Sequence, residues 1–331
     1  MRIAFLGTPE FAVPSLKMLI SAGHTVEVFT QPDRPKDRGH SLAMPAVKLA
    51  ALEAGLPVHQ FERIRREEGV SALREFGPEL MVTAAFGQLL SGENLSIPKY
   101  GCINVHGSLL PKYRGASPIQ TAIIEGESVT GVTTMLTNIG MDTGDILLKR
   151  ETPIGGNETY GELYARLAAL GAELLCETIE ALESGTLVRT PQDDAAATHC
   201  RPIRKQDAAV DFSLPSKRVH DLVRGLDPAP TAYALLNGQN IKLYNTRLIP
   251  EPAAFSAADL TAFLSAESGE CVVASPKQGL VVRTGDGFIE IGELQFPNGK
   301  RITARAALNG KKLLGLRFDR PAAGEETRKR L

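Results

Sequence analysis

A chain of 331 residues is long enough for two domains, and 37 Lys plus Arg against 38 Asp plus Glu excludes a strongly basic polyanion-binding protein. The charge is uneven: from Ala209 onward there are 17 basic and 13 acidic residues, a net of +4, while the first 208 residues hold 20 and 25, a net of −5. Four dispersed cysteines, Cys102, Cys176, Cys200 and Cys271, form no C-x-x-C pair, which excludes a disulfide framework and a zinc site. No apolar run approaches the roughly 18 residues of a membrane span. The start, MRIAFLGTPEF, enters a strand at once and leaves no room for a signal peptide. A soluble, cytoplasmic protein is expected.

Residues 2–6, RIAFL, read as a strand, and Gly7-Thr8-Pro9 turn it into a helix whose stripe is Phe11, Leu16, Leu19 and Ile20. Residues 26–30 are a second strand, so the chain opens as a βαβ unit of a doubly wound sheet. There is no G-x-G-x-x-G, and a dinucleotide cofactor is not expected. Residues 31–45, QPDRPKDRGHSLAMP, interrupt the pattern as a charged loop at a strand end. A helix over 46–54, a strand PVHQF and a charged amphipathic helix over 65–76 follow. The apolar run 80–85 has the look of a buried parallel strand and leads into Phe86-Gly87-Gln88-Leu89-Leu90.

Residues 101–117, GCINVHGSLLPKYRGAS, break the rule for a core strand. Side chains alternate along a strand, so Asn104 and His106 share one face about 6–7 Å apart, while Ile103 and Val105 take the other. Such a pair is either a hydrogen-bonded structural feature or a carboxamide and an imidazole that both reach one reacting carbon. Gly107, Pro111 and Gly115 then break regular structure around Lys112, Tyr113 and Arg114. In parallel α/β sheets, ligand sites lie at that carboxyl end of the strands.

A short helix over 119–125 and a strand over 131–136 precede a glycine-bracketed turn, Gly140 to Gly144, which presents Asp142. Asp145, at the edge of a strand over 146–148, is the competing carboxylate. The longest helix, 159–183, carries Leu163, Leu167, Leu170 and Leu174 on one face. The reading places a catalytic domain at 1–190 and a polar linker at 191–206. A second domain at 207–331 holds a helix over 217–226 and short strands separated by Gly turns. Their number suits an OB-like β-barrel.

NVHGSLLPKYRGASP resembles the signature of the folate-dependent formyltransferases. The resemblance covers nearly the whole chain. It implies a mostly parallel Rossmann-like domain and formyl transfer from 10-formyltetrahydrofolate without a metal. It also makes Asn104, His106 and Asp142 a catalytic set at the sheet's carboxyl edge. The segment Phe86 to Leu90 matches the family's pteridine-cradling stretch, with Phe86 for a usual Tyr and Ser91 for a usual Pro. Ser108, Leu109, Leu110 and Pro111 are implied as further folate contacts. Members that act on methionyl-tRNA carry a loop beginning QPDRP and followed by RG, which implies tRNA contacts by Arg34 and Arg38. Two lysines often follow that RG pair; His40 and Ser41 stand there in this chain. The same members end in a KR…L-x-G-x-x-L-type helix, here Lys300-Arg301 through Leu313, which implies tRNA contacts by Lys311 and Lys312.

The residue types suit this chemistry on their own terms. Asn104 can donate to an oxygen that gains charge. His106 can donate to the same oxygen or shuttle the amine proton. Asp142 can orient His106, stabilise its charge or take the proton through a water. A sugar-nucleotide formyltransferase would share these three residues but not the QPDRP loop. A non-catalytic tRNA-binding protein would share the barrel but not the converging Asn, His and Asp.

Overall fold

The computed structural model describes residues 1–36, 41–249 and 263–321, and the chain divides into two compact units. The first comprises residues 1–119, 129–153 and 163–201. Its elements begin with β1 (Arg2–Gly7), α1 (Val13–Ser21), β2 (Thr25–Thr30), β3 (Arg34–Lys36), β4 (Ser41–Ala43), α2 (Ala46–Glu53) and β5 (Val58–Gln60). Then come α3 (Glu67–Phe76), β6 (Leu80–Ala84), α4 (Gly92–Leu95), β7 (Cys102–His106), β8 (Arg114–Gly115), β9 (Val129–Leu136), β10 (Ile146–Pro153), α6 (Tyr160–Glu183, in this unit from Leu163) and β11 (His199–Cys200), while α5 (Pro118–Ile124) falls to the second unit from Gln120.

Seven strands form one sheet in the order β10-β9-β7-β6-β1-β2-β5. The strands from β7 to β5 are parallel, while β9 runs antiparallel to β7 and β10 antiparallel to β9. β6 is buried along its whole length and β1 from Ile3 onward, as expected of parallel strands covered on both faces. Helix α6 approaches β7 closely at Gly171. A Cβ there would lie 2.8 Å from Val105 Cγ1, so even alanine would push the helix off the strand. α4 is absent from the sequence reading. Ser91 starts it through a capping box: Ser91 Oγ accepts from Asn94 N at 3.2 Å and Asn94 Oδ1 accepts from Ser91 N at 3.0 Å.

The charged stretch 31–45 is more ordered at its base than a loop. β3 and β4 pair antiparallel, with Arg34 opposite Ala43 and Lys36 opposite Ser41. Asp33 accepts from Lys48 Nζ at 2.7 Å and from Gln60 Nε2 at 2.9 Å, which ties the ribbon to α2 and β5. Arg38, Gly39 and His40 lie outside the described residues.

The second unit includes residues 120–128, 154–162 and 202–331. It contains α7 (Ser216–Gly225), β12 (Tyr233–Leu236), β13 (Gln239–Leu248), β14 (Cys271–Ser275), β15 (Gly279–Arg283), β16 (Phe288–Gln295), β17 (Ile302–Thr303), α8 (Ala304–Leu308) and β18 (Phe318–Asp319). The strands run β14-β15-β16-β13-β12-β18, all antiparallel, with β17 beside β16, as a half-barrel. Val219, Val223 and Leu226 pack with Ile241, Leu243, Ile289, Ile291 and Leu294 in its core. The helix expected over 300–313 is shorter: Thr303 caps it through Ala306 N at 3.2 Å, and only Ala304–Leu308 are helical.

His220 on α7 is buried, donating from Nε2 to Gly156 O at 2.9 Å and accepting at Nδ1 from Thr246 Oγ1 at 2.9 Å. Burial, the largest cause, holds its pKa below the ordinary imidazole value. Below about pH 6.5 the unfolded chain therefore binds a proton that the native chain does not, and stability is lost as the pH is lowered. A His220→Gln variant cannot take up that proton. Its urea midpoint should change less between pH 7 and pH 5 than that of the parent.

Candidate active site

β7 lies between β6 and β9, and its Asn104 and His106 side chains emerge on one face as the alternation requires. Asn104 sits beside Thr83 of β6 in register, and its Oδ1 accepts from Thr83 Oγ1 at 2.9 Å. That bond fixes the amide, with Nδ2 turned away from Thr83. The His106 side chain is only 6% exposed. Its Nε2 lies 3.0 Å from Tyr113 O. A carbonyl only accepts, so Nε2 carries the proton and Nδ1 of the neutral ring holds a lone pair. Nδ1 is 3.8 Å from Asp142 Oδ2, beyond hydrogen-bond range but within reach of a charge on the ring. Tyr113 O, not Asp142, therefore orients the imidazole.

Asp142 arrives from an unexpected direction. Its turn leaves β9 at the amino end of β7, where Thr137 N donates to Cys102 O at 2.7 Å. It then folds back across the face that carries Asn104 and His106. β9 is antiparallel, so its outgoing turn starts at the opposite end of β7 from His106 and returns to it. Asp142 has φ +54° and its Oδ2 accepts from Gly115 N at 2.8 Å. Asp145 uses its backbone carbonyl to accept from Leu136 N at 2.9 Å, in keeping with a strand-edge residue.

Residues 191–201, read from sequence as part of a linker, belong to the first unit and lie along the loop after β7. β11 pairs in parallel with β8, His199 opposite Arg114 and Cys200 opposite Gly115. Tyr113 N donates to Thr198 Oγ1 at 2.8 Å, Arg114 N to Thr198 O at 2.9 Å and Ala116 N to Cys200 O at 3.1 Å. Gly115 has φ +117°, and a Cβ there would lie 2.2 Å from Cys200 O, so only glycine allows this approach.

The expected folate residues divide into two kinds. The Phe86 ring is buried with Ala4, Leu6 and Phe29, and its carbonyl accepts from Thr8 Oγ1 at 2.8 Å and Gln31 Nε2 at 3.1 Å. The Gln88 amide is turned inward to Ile64 N and Phe61 O, both at 2.7 Å. Leu90 packs against the same cluster as Phe86, whereas Gly87 is exposed and Leu89 is 68% exposed. Ser108 Oγ donates to Lys112 O at 2.7 Å, and Leu110 is fully buried with Met135 and Ile146. Leu109 and Pro111 are half-buried. The polar side chain of Gln88 is thus turned inward, and Gly87 and Leu89 are left at the surface.

Of the expected tRNA residues, Arg34 is half-exposed and pairs with Glu62 at 2.8 Å. The Lys311 ammonium lies over the Phe296 ring, 4.4 Å from its centroid, and Lys312 is exposed. Burial pushes the Cys102 thiol up to about 11, so the cysteine nearest Asn104 in sequence is no nucleophile near neutrality. Among the described residues no cluster of His, Cys, Asp and Glu is arranged to hold a metal ion, and no helix is long and apolar enough to cross a membrane.

A sequence model of formyl transferases matches residues 1–179, and one of the formyl transferase C-terminal domain matches residues 202–312. The chain belongs to the formyl transferase family. Among its relatives, the methionyl-tRNA formyltransferase of Ruminiclostridium cellulolyticum is 47% identical over 314 residues, 95% of this chain and 97% of the relative. That of Acetivibrio thermocellus is 46% identical over the same shares. Two solved structures share the family fold. HypX from Aquifex aeolicus in complex with tetrahydrofolic acid has TM-score 0.63 and 19% identity, and the match covers 93% of this chain and 47% of that one. The sugar 3N-formyl transferase WlaRD has TM-score 0.65 and 20% identity, over 91% and 99%. The family resemblance read from sequence holds, and so does a Rossmann-like domain followed by a smaller antiparallel β domain, which the structure gives as a half-barrel.

Thr83 escaped the sequence reading. A Thr83→Val variant keeps shape but frees the Asn104 amide to rotate, and it should lower kcat about tenfold, the worth of roughly one hydrogen bond. Steady-state kinetics checks this: the Michaelis constants should stay within about twofold.

Proposed function

We propose that this chain transfers the formyl group of 10-formyltetrahydrofolate to the α-amine of methionyl-tRNA, in the cytoplasm, and that Asn104, His106 and Asp142 carry the reaction. The observation that supports it most is the Asp142 carboxylate 3.8 Å from His106 Nδ1, on the strand face that also carries the Asn104 amide held by Thr83. The acceptor is inferred from near-full-length relatives named methionyl-tRNA formyltransferases, and from the ribbon that interrupts the sheet after β2.

The donor supplies an electrophilic formyl carbon. Asn104 Nδ2 donates to the formyl oxygen as charge builds on it during attack by the amine. His106 Nδ1 takes the proton that the amine loses, and Asp142 stabilises the resulting imidazolium across the gap. His106 returns the proton to the departing nitrogen, which balances the transfer without net acid or base. Gly87 and Leu89, with Leu109 and Pro111, face the folate, while Phe86, Gln88, Leu90, Ser108 and Leu110 shape that surface from within. The first unit forms the catalytic part. Residues from 202 onward hold tRNA through phosphates, to which Lys311 and Lys312 contribute, and Arg34 and Arg38 on the ribbon position the aminoacyl end.

Asn104→Ala should lower kcat about 10²–10³-fold, the usual cost of one oxyanion donor, while folate binding by fluorescence titration stays near the parent value. Asp142→Asn should cost more turnover than Asp145→Asn; the opposite order would move the carboxylate role to Asp145.

A second pair of variants addresses the tRNA. Replacing Lys311 and Lys312 with Ala should weaken all tRNAs alike and flatten the salt dependence of binding by about one unit of slope for each phosphate no longer neutralised. Arg38→Ala should instead reduce kcat/KM for methionyl-tRNA more than it reduces filter-bound tRNA. An amino-sugar nucleotide offered to the parent protein should remain unformylated.

A further inference from the structure

The geometry points to Gln192 as a positioning residue that holds the Asp142 turn to the loop after β7. The inference rests on the catalytic reading of Asp142 given above.

Asp142 needs holding. Its left-handed backbone, φ +54°, is disfavoured for a residue with a Cβ and persists only when its surroundings fix it. The turn around it is exposed, with Gly140 and Met141 open to solvent. At its outer end Asn138 Oδ1 accepts from Gly140 N and Thr143 Oγ1, both at 2.9 Å, but these bonds are internal to the turn. Gln192 supplies an external tie. Its Nε2 donates to Asp142 O at 2.8 Å and to Gly144 O at 2.7 Å, so one amide group bridges two carbonyls that flank the reacting carboxylate. Its Oε1 accepts from Arg114 Nε at 3.0 Å. Arg114 is 4% exposed and adjoins Tyr113, whose carbonyl orients His106, and Gly115, whose N–H holds Asp142 Oδ2.

One side chain therefore joins the two segments whose separation sets the 3.8 Å gap between His106 Nδ1 and Asp142 Oδ2. Gln192 is itself held in place. Thr190 and Ile146 exchange backbone hydrogen bonds at 2.8 and 2.9 Å on its amino side, and β11 locks the chain on the other. The neighbouring polar residue offers a contrast: Asp194 accepts from Arg114 but its side chain is 83% exposed.

Two substitutions separate positioning from mere support of Arg114. Gln192→Glu keeps the acceptor for Arg114 and adds a charge that strengthens that bond, yet it removes both donors and sets a carboxylate against two carbonyls. Gln192→Ala removes all three bonds. If Gln192 positions Asp142, Q192E and Q192A both lower kcat by about 10–100-fold, as misplacing a reacting group by an ångström does, and Q192E is no milder than Q192A. The Michaelis constants for folate and tRNA stay within about twofold.

A double-mutant cycle completes the test. In a D142N background the further change Q192A should cost little, because the group it places is already lost. Full additivity in that cycle, or a Q192E enzyme with the parent's kcat, overturns the positioning role. A Q192E enzyme much closer to the parent than Q192A also overturns it, in favour of simple support of Arg114. Undiminished turnover in D142N alone would instead sink the catalytic reading of Asp142, which keeps the two failures distinct.

Discussion

The hydrogen bond from His106 to the Tyr113 carbonyl governs the chemistry of the site. In the neutral ring it assigns the proton to Nε2 and so leaves the lone pair on Nδ1, the nitrogen nearer Asp142. A neutral ring and a carboxylate that face each other with lone pairs repel unless a proton arrives between them. In the proposed reaction the attacking amine would deliver that proton. The same bond requires Tyr113 to turn its carbonyl inward, and Tyr113 adopts φ +59° to do so. That strained loop is stabilised by its neighbours: Thr198 accepts the Tyr113 N–H, and β11 pairs with the next two residues.

Much of the site was legible because it is local. Asn104 and His106 obey strand alternation, which places them on one face, whereas Asp142 was set apart from Asp145 by the family resemblance and not by its turn alone. Their partners were not legible, for a physical reason. Thr83 is 21 residues from Asn104 and meets it only through the register of β6 against β7. Gln192 is 50 residues from Asp142 and looks, in sequence, like any polar residue in a polar segment. Register and long-range hydrogen bonds leave no periodic mark.

The fold divides in the same way. Apolar runs announced β1, β6 and β7, but an apolar strand reads alike in either direction, so the antiparallel β9 could not be told from a parallel one. That reversal decides how Asp142 reaches His106. The consequence of Ser91 was likewise hidden: it caps a short helix through a reciprocal bond with Asn94. In the second unit the strands were apparent from their glycine turns, whereas the C-terminal helix ended early because Thr303 and the loop after Leu308 bound it.

Segments between domains usually tolerate changes of length, since a flexible tether costs little to extend. The stretch from Thr190 to Cys200 does not have that freedom. It is fixed at Ile146 on one side and at Gly115 on the other, with Gln192 and Thr198 each matched to particular partners between. One added residue would leave both ends anchored but carry Gln192 or Thr198 out of phase with what it binds. Length in this stretch is therefore as constrained as identity in a catalytic motif. Among homologous chains, insertions here should be as rare as substitutions of Asn104.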